Sequence, residues 1–155
     1  MSDPYERIKA SGLELPPCPR PAGSYASGKV LGSLMLASGH TPTRDGVPAF
    51  GGGVGTGLDL EEGYEAARLA ALNCAAELEA VCGDLRRVDG ILKVNGDVAA
   101  SEGFEEQPTL INGARDLLSE IFGNPGGVHA RTAIGVQSLP GGAPMRVGLV
   151  APLRT

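Results

Sequence analysis

Leu60, Tyr64, Ala67, Ala71, Ala75, Leu78 and Cys82 recur at spacings of three and four, which predicts one buried stripe along a helix over 60–82. Asp59 with Glu62 makes a capping-box start, and Gly83 supplies a left-handed stop. The many alanines suit close packing on a sheet. The period then changes from 3.6 to 2. Val88, Gly90, Leu92, Val94, Gly96 and Val98 alternate with a second row carrying Lys93, Asn95 and Asp97, predicting a long strand with one polar face. A second helix is predicted from near Pro108 to just before Gly123, with Ile111, Ala114, Leu117, Leu118 and Ile121 inward. Two strands follow, Arg131–Ser138 and Met145–Leu149, joined by a Pro/Gly turn over 139–144.

The first third of the chain is less periodic. Residues 4–12 suit a short amphipathic helix with Tyr5, Ile8 and Leu13 towards the body. The segment Leu15-Pro16-Pro17-Cys18-Pro19-Arg20-Pro21 reads as an extended arm, because proline lacks a donor and fixes φ. Ser24–Ala26 and Val30–Ser38 read as strands joined by a tight turn at Ser27-Gly28-Lys29. The run Leu31–Ala37 is apolar on both faces, as expected of a strand covered on both sides. The glycine-rich stretch 40–57 lacks the Gly-Lys-Ser/Thr of a phosphate loop and reads as a mobile surface loop. The expected fold class is α+β, a mixed sheet with two helices on one face. One domain over 1–155 is expected, with residues 1–21 as an arm packed on it. The apolar pattern on the remaining sheet face points to association with copies of the same chain.

Composition narrows the function. The 155 residues carry a net charge of −5 and a pI near 5.0. No nucleic-acid partner is expected, since such binding needs a cationic footprint. Cys18, Cys74 and Cys82 lack metal-ligand spacing. Eight helical residues separate Cys74 from Cys82, roughly 12 Å, too far for a bridge. No apolar run approaches a membrane span, the N-terminus shows no signal peptide, and a cytoplasmic protein without membrane contact is expected. The two histidines have no carboxylate pattern beside them, so no metal site is expected.

Arg131 is the residue with the most chemistry. A guanidinium on a half-buried strand of small and β-branched residues needs an anionic partner, and its planar fork matches a carboxylate. The partner is either an internal Asp or Glu or a small-molecule acid. His40 stands at a strand end beside the glycine-rich stretch, where it either moves a proton or only hydrogen-bonds. His129 suits a loop cap. Asn112 offers its amide to a ligand or to a helix carbonyl. Tyr25 suits a half-core, half-cleft position, its ring packed and its hydroxyl partnered. Glu61, Glu62 and Glu65 suit a solvated helix start. Ser38 has no Gly-x-Ser-x-Gly setting, which excludes a serine hydrolase of that type.

With these residues in place, the chain resembles the reactive intermediate deaminase family, also called the YjgF or Rid family, over roughly residues 20–151. The resemblance rests on Tyr25, on Ser38-Gly39, on the helix 60–82 with its Glu-rich start, on the strand beginning near Val88, on Asn112, and on Ala130-Arg131 followed by Leu139-Pro140. It implies a chorismate-mutase-like fold, a homotrimer, and three ligand clefts between subunits. It further implies that Arg131 grips a substrate carboxylate while Gly39, Asn112 and Tyr25 line the same cleft. The implied reaction hydrolyses a 2-imino or enamine acid to a 2-keto acid and ammonia, without metal or organic cofactor. The partner is then a small carboxylate or other anionic metabolite.

Three positions depart from the family pattern. Arg146 stands where active members carry a glutamate associated with positioning the hydrolytic water. Ala133 replaces a cysteine, and His40 a glutamine. Arg146 either joins Arg131 as a second anion-binding group, in a cleft for dicarboxylates or phosphorylated acids, or points outward as a solvated strand residue; Ser38 counts among the expected substrate-binding residues. A deaminase and a non-catalytic anion-binding or regulatory trimer are the alternatives. RNA cleavage or translation inhibition, often attached to this family, conflicts with the acidic charge.

Overall fold

The computed structural model describes residues 3–21 and 23–155. The chain runs through α1 (Pro4–Ala10), β1 (Gly28–Leu31), β2 (Leu34–His40), β3 (Thr43–Arg44), β4 (Val47–Pro48), α2 (Leu60–Cys82), a 3-10 turn at Leu85–Arg87, β5 (Lys93–Ala99), α3 (Gln107–Phe122), β6 (Ala130–Val136), a second 3-10 turn at Pro140–Gly142, and β7 (Met145–Pro152). Five strands form one sheet in the order β1–β2–β7–β5–β6, and β3 pairs with β4 alone. The β5–β6 pair is parallel and bridged by α3, while the other pairs are antiparallel. The α+β arrangement expected from the two periodicities is the one observed.

Helix α2 begins with the reciprocal capping box of Asp59 and Glu62 and ends at Gly83 with φ +83°. Its buried surface is wider than a stripe. Ala66, Ala67, Ala70, Ala71, Cys74, Ala75, Leu78 and Cys82 all leave solvent, whereas Leu60 at the first turn stays 41% exposed. Small side chains let α3 approach closely. A Cβ on Gly113 would strike the Tyr64 carbonyl, and one on Gly63 would lie 2.8 Å from Leu110. Arg68 then clamps the pair by a two-point bond to Glu120, at 2.8 and 3.0 Å. Both helices pack on the face bearing Met35, Val94, Val98, Met145, Val147 and Leu149, all withdrawn from water, each such side chain contributing about 1.5–3 kcal/mol by its burial. Helix α1 joins this core through Ile8, with Tyr5, Leu13 and Leu15 beside it. Arg7 donates to the Glu120 and Ser119 carbonyls near the end of α3. The first two residues of the expected arm lie outside the described residues.

Four local expectations need correction. The hairpin turn falls at Gly32-Ser33, not at Ser27-Gly28-Lys29, because Gly32 (φ +59°) supplies the first position of the two-residue loop. That turn splits the expected strand 30–38, and residues 24–26 form bends rather than a strand. Leu92 is 51% exposed, since β5 starts only at Lys93 after the 3-10 turn. The stretch 40–57 is tied down: Asp45-Gly46, both with positive φ, turn a small hairpin, and Val54 and Leu58 are buried. Val54 pairs with Ala100 across that anchor.

The second face of the sheet carries no helix. Register places Lys29, Leu36, Val150, Lys93 and Ala130 in one row across it, and Asp97, Arg146 and Ile134 in another. Leu31 (79% exposed), Leu34, Leu36 and Ile134 stand on this face. The expectation that the apolar run 31–37 is covered on both sides is therefore not met within one copy of the chain.

Candidate functional site

Strand register decides where the expected ligand residues point. Arg131 sits opposite Val94 in the parallel β5–β6 pair, on the face that carries the helices. Its Nη1 donates to the Pro108 carbonyl at 3.0 Å and its Nη2 to Asn112 Oδ1 at 2.9 Å. Both acceptors belong to the first turns of α3 and are uncharged. Among the described residues no carboxylate forms an ion pair with Arg131. Asp116, the acid whose charge acts on Arg131, is bonded to Arg115 at 3.1 Å and accepts from the Tyr64 hydroxyl. Partial burial and the Arg115 charge push the Arg131 guanidinium below its usual range. Among the described residues an ion-paired internal acid, one of the two readings of this residue, is not found; the Asp116 charge acts on Arg131 without a direct ion pair, and in the direction that raises its pKa. A cation is held in place, partly desolvated, by two neutral oxygens.

His129 lies just before this residue and its Nδ1 is 2.9 Å from the Gly127 carbonyl, as suits a loop cap. Burial lowers its pKa below the ordinary 6.5; the Gly127 bond opposes that shift, and the charges of Arg131 and Arg115 add to it.

A second cluster forms where β2 ends. A bulge between Ala37 and His40 breaks the register with β7. Gly39 takes φ +102° there, and a Cβ on it would meet the Val147 carbonyl at 2.8 Å and the Arg146 guanidinium at 3.1 Å. Only glycine fits this position without displacement. Ser38 is fixed by its hydroxyl to the Ala26 carbonyl at 2.6 Å and by its N–H to the Ser27 carbonyl at 2.7 Å. Arg146 lies on the bare sheet face, opposite Asp97, and bonds Asp97 Oδ2 at 3.0 Å and the Ser38 carbonyl. Within one copy it lies apart from Arg131, 38% exposed on the uncovered face. Its charge is balanced by Asp97, so it shapes the Ser38–Gly39 bulge instead of acting as a second free cation.

The His40 ring turns to the other face and reaches α2. Its Nε2 lies 2.6 Å from Glu77 Oε2, and the Glu77 side chain is 0% exposed. Neither atom has a well-aligned hydrogen bond, so the contact is a close pair held at an imperfect angle. Glu77 escaped the sequence reading, because a glutamate in an alanine-rich helix resembles any solvated position. Tyr25 also differs from expectation. It is 54% exposed and belongs to no core cluster, since the segment 23–26 bends away instead of pairing.

Within one copy, then, the expected site residues fall into two groups. Arg131 and Asn112 sit at the β6 edge on the helical face. Ser38, Gly39 and Arg146 sit at the β2–β7 bulge, with Arg146 on the opposite face. A cleft of about 370 Å³ lined by Asp3, Arg86, Ile121, Phe122 and Arg154 contains neither group. Among the described residues no cluster of three or more His, Cys, Asp or Glu could hold a metal ion, and no helix is long and apolar enough to cross a membrane.

Residues 5–152 match the family described as YjgF/chorismate mutase-like, putative endoribonuclease, and the chain belongs to that family, with its chorismate-mutase-like fold. Protein TCP17 of Trypanosoma cruzi is 39% identical over 146 residues, covering 94% of this chain and 91% of that protein. The crystal structure of a putative endoribonuclease from Shewanella oneidensis MR-1 superposes with a TM-score of 0.93 at 35% identity, covering 98% and 100% of the two chains. More distantly, TdcF of E. coli, solved with bound serine, shares the fold at a TM-score of 0.62 and 20% identity, over 89% and 94% of the chains.

Proposed function

We propose that this protein binds small carboxylate metabolites in clefts between copies of itself, as a homotrimer, and hydrolyses 2-imino or enamine acids to 2-keto acids and ammonia. The observation that carries this reading is Arg131, a guanidinium fixed by two neutral oxygens and without an ion-paired carboxylate among the described residues. A carboxylate arriving there answers a charge that the chain leaves open, through the bidentate geometry that guanidinium favours. The bare sheet face with Leu31, Leu34, Leu36 and Ile134 supports assembly, because apolar patches of this kind are usually covered by a partner. Assembly also solves a geometric problem. Arg131 and Arg146 lie on opposite faces of one sheet, so a single cleft uniting Arg131 and Asn112 with Ser38, Gly39 and Tyr25 requires a second copy. Each chain acts as one domain in this reading, in the cytoplasm. The serine held by TdcF, a fold neighbour, is an amino acid with a carboxylate of the proposed kind.

Hydrolysis of a C=N bond needs a fixed carboxylate, a placed water and proton transfer, which is work for orientation and acid–base groups and not for a metal. His40 is the proton-handling side chain nearest the bulge. A coupled assay that generates 2-imino acids from several amino acids tests the reaction. Keto-acid release faster than in buffer, lost in Arg131→Met, is expected; no acceleration with any amino acid refutes it. A second reading, a non-catalytic anion-binding trimer, is favoured by the Arg146–Asp97 pair, which fills the place of the family's water-positioning glutamate. In that case 2-keto acids raise the melting temperature of the wild type without any turnover.

A further inference from the structure

Asn73 and Glu77 are the buried polar side chains of α2. Asn73 has an evident structural task, since its Nδ2 bonds the Thr41 and Thr43 carbonyls and holds the chain after β2. Glu77 has no comparable set of partners. Its Oε1 accepts the Ser38 N–H at 3.3 Å, and its Oε2 lies 2.6 Å from His40 Nε2. The backbone makes room for it: a Cβ on Gly28 would stand 3.1 Å from Oε1. A carboxylate withdrawn from water is costly even when paired, and an apolar side chain of similar size would fill the same space at lower free energy. The fold nevertheless holds this carboxyl group behind the Ser38–Gly39 bulge, in contact with Ser38 and with His40 just after it.

Of the two neutral tautomers of an imidazole, a carboxylate beside Nε2 favours the one with its proton on Nε2 and its lone pair on Nδ1. Nδ1 of His40 has no hydrogen-bond partner among the described residues, and the ring retains 10% exposure. The thiol of Cys74, also packed here, is no rival for the proton: burial and the Glu77 charge hold its pKa far above the usual thiol range.

We infer that Glu77 is a positioning residue whose buried carboxylate fixes His40 as the Nε2–H tautomer, leaving Nδ1 to take a proton from the hydrolytic water. The inference rests on the deaminase reading above. The water oxygen bonds to the iminium carbon, its proton passes to Nδ1, and the C=N π pair settles on nitrogen to give a carbinolamine. Nδ1 returns that proton to the amine. The C–N bond then breaks with its electron pair leaving as ammonia, while the hydroxyl proton passes to Nδ1 and on to solvent. The pair thus supplies from α2 and β2 the base that Arg146 does not.

Two measurements test this on the full-length protein. Imidazole ¹⁵N NMR of the wild type is expected to show His40 as the Nε2–H tautomer, shifting towards a mixture in Glu77→Gln; an Nδ1–H tautomer in the wild type overturns the inference. In the coupled imine assay His40→Gln is expected to lose about 100-fold or more in kcat, the usual worth of a general base. Glu77→Gln is expected to lose at least about tenfold in kcat with KM and the Kd for pyruvate changed by less than about twofold, and Glu77→Asp to recover part of the loss. A folded Glu77→Gln or Glu77→Asp variant with wild-type kcat, when the wild type does turn over, overturns the role of Glu77 alone. A wild type that binds pyruvate yet hydrolyses no imine overturns the deaminase reading itself.

Discussion

Replacing Arg131 by Met removes the charge but keeps most of the stem volume, and the two halves of its effect should separate cleanly. In the ligand-free protein the guanidinium forms two hydrogen bonds, to the Pro108 carbonyl and to Asn112. Each is worth about 0.5–1.5 kcal/mol net, somewhat more for a charged donor. Against this stand its partial desolvation and the repulsion of Arg115, the two causes that depress its pKa. These opposing contributions leave a net change within about 1 kcal/mol, which for a chain of this length moves Tm by roughly 2–4 °C at most. Ligand binding behaves differently. A 2-keto acid at 100 times its Kd stabilises the wild type by about 2.7 kcal/mol, so Tm should rise by roughly 5–11 °C. Losing a two-point charge contact costs about 2–4 kcal/mol of binding, and the same acid concentration then stabilises the variant by less than about 1 kcal/mol. Thermal-shift curves with and without pyruvate report both numbers. A variant that unfolds far below wild type without ligand, or that keeps the full ligand-induced rise, contradicts the placement of Arg131 as an unpaired anion receptor.

Three further outcomes follow from the same structure. Leu36→Glu places a charge on the bare face opposite Lys29, so light scattering should show the proposed trimer in the wild type and monomers in the variant; an assembly left unchanged by the substitution means that another surface makes it. Gly113→Ala drives a methyl group into the Tyr64 carbonyl where α2 and α3 meet, and urea unfolding should show a loss of about 1–3 kcal/mol or more, as overpacking typically gives. His129 should report on Arg131. Its folded pKa lies below the ordinary 6.5, with the Arg131 charge among the causes, so the unfolded chain takes up a proton first and this residue's share of stability is lost as pH falls through about 6.5. Pyruvate binding or Arg131→Met removes that repulsion, and NMR titration should show the His129 pKa rise; no movement in either case places the anion elsewhere.

The helices were legible because their information is local. The Asp59–Glu62 pair, the alanine spacing and Gly83 each specify a feature of α2 without reference to the rest of the molecule. The core face of α3 and the polar face of β5 follow equally from periodicity. The β1–β2 hairpin was misplaced because two glycines, Gly28 and Gly32, compete for the turn and the flanking run is apolar throughout. Period alone cannot choose between them; only the pairing of Leu31 with Leu34 does. The anchored loop 40–57 carried a usable signal in Asp45-Gly46, a pair suited to two successive positive φ values. At the candidate site, Arg131 and Asn112 are hydrogen-bonded, nineteen residues apart in sequence and 2.9 Å apart in space, a contact that the β6–α3 packing makes and no local pattern encodes. The partners of Arg146 and His40 were not legible. Asp97 and Glu77 become their neighbours only through the β5–β7 register and the packing of α2 on β2, which no local pattern encodes.

The claim on which the rest depends is that one copy's arginine is completed by another copy's bulge. A crystal structure of the assembled protein grown with a 2-keto acid tests it most directly. The expected result is a carboxylate about 3 Å from the guanidinium of Arg131 in one copy, with Ser38 and Gly39 of a neighbouring copy lining the same cleft. Arg131 turned onto Asp116, the acid bound elsewhere, and a protein monomeric in crystal and solution would contradict it.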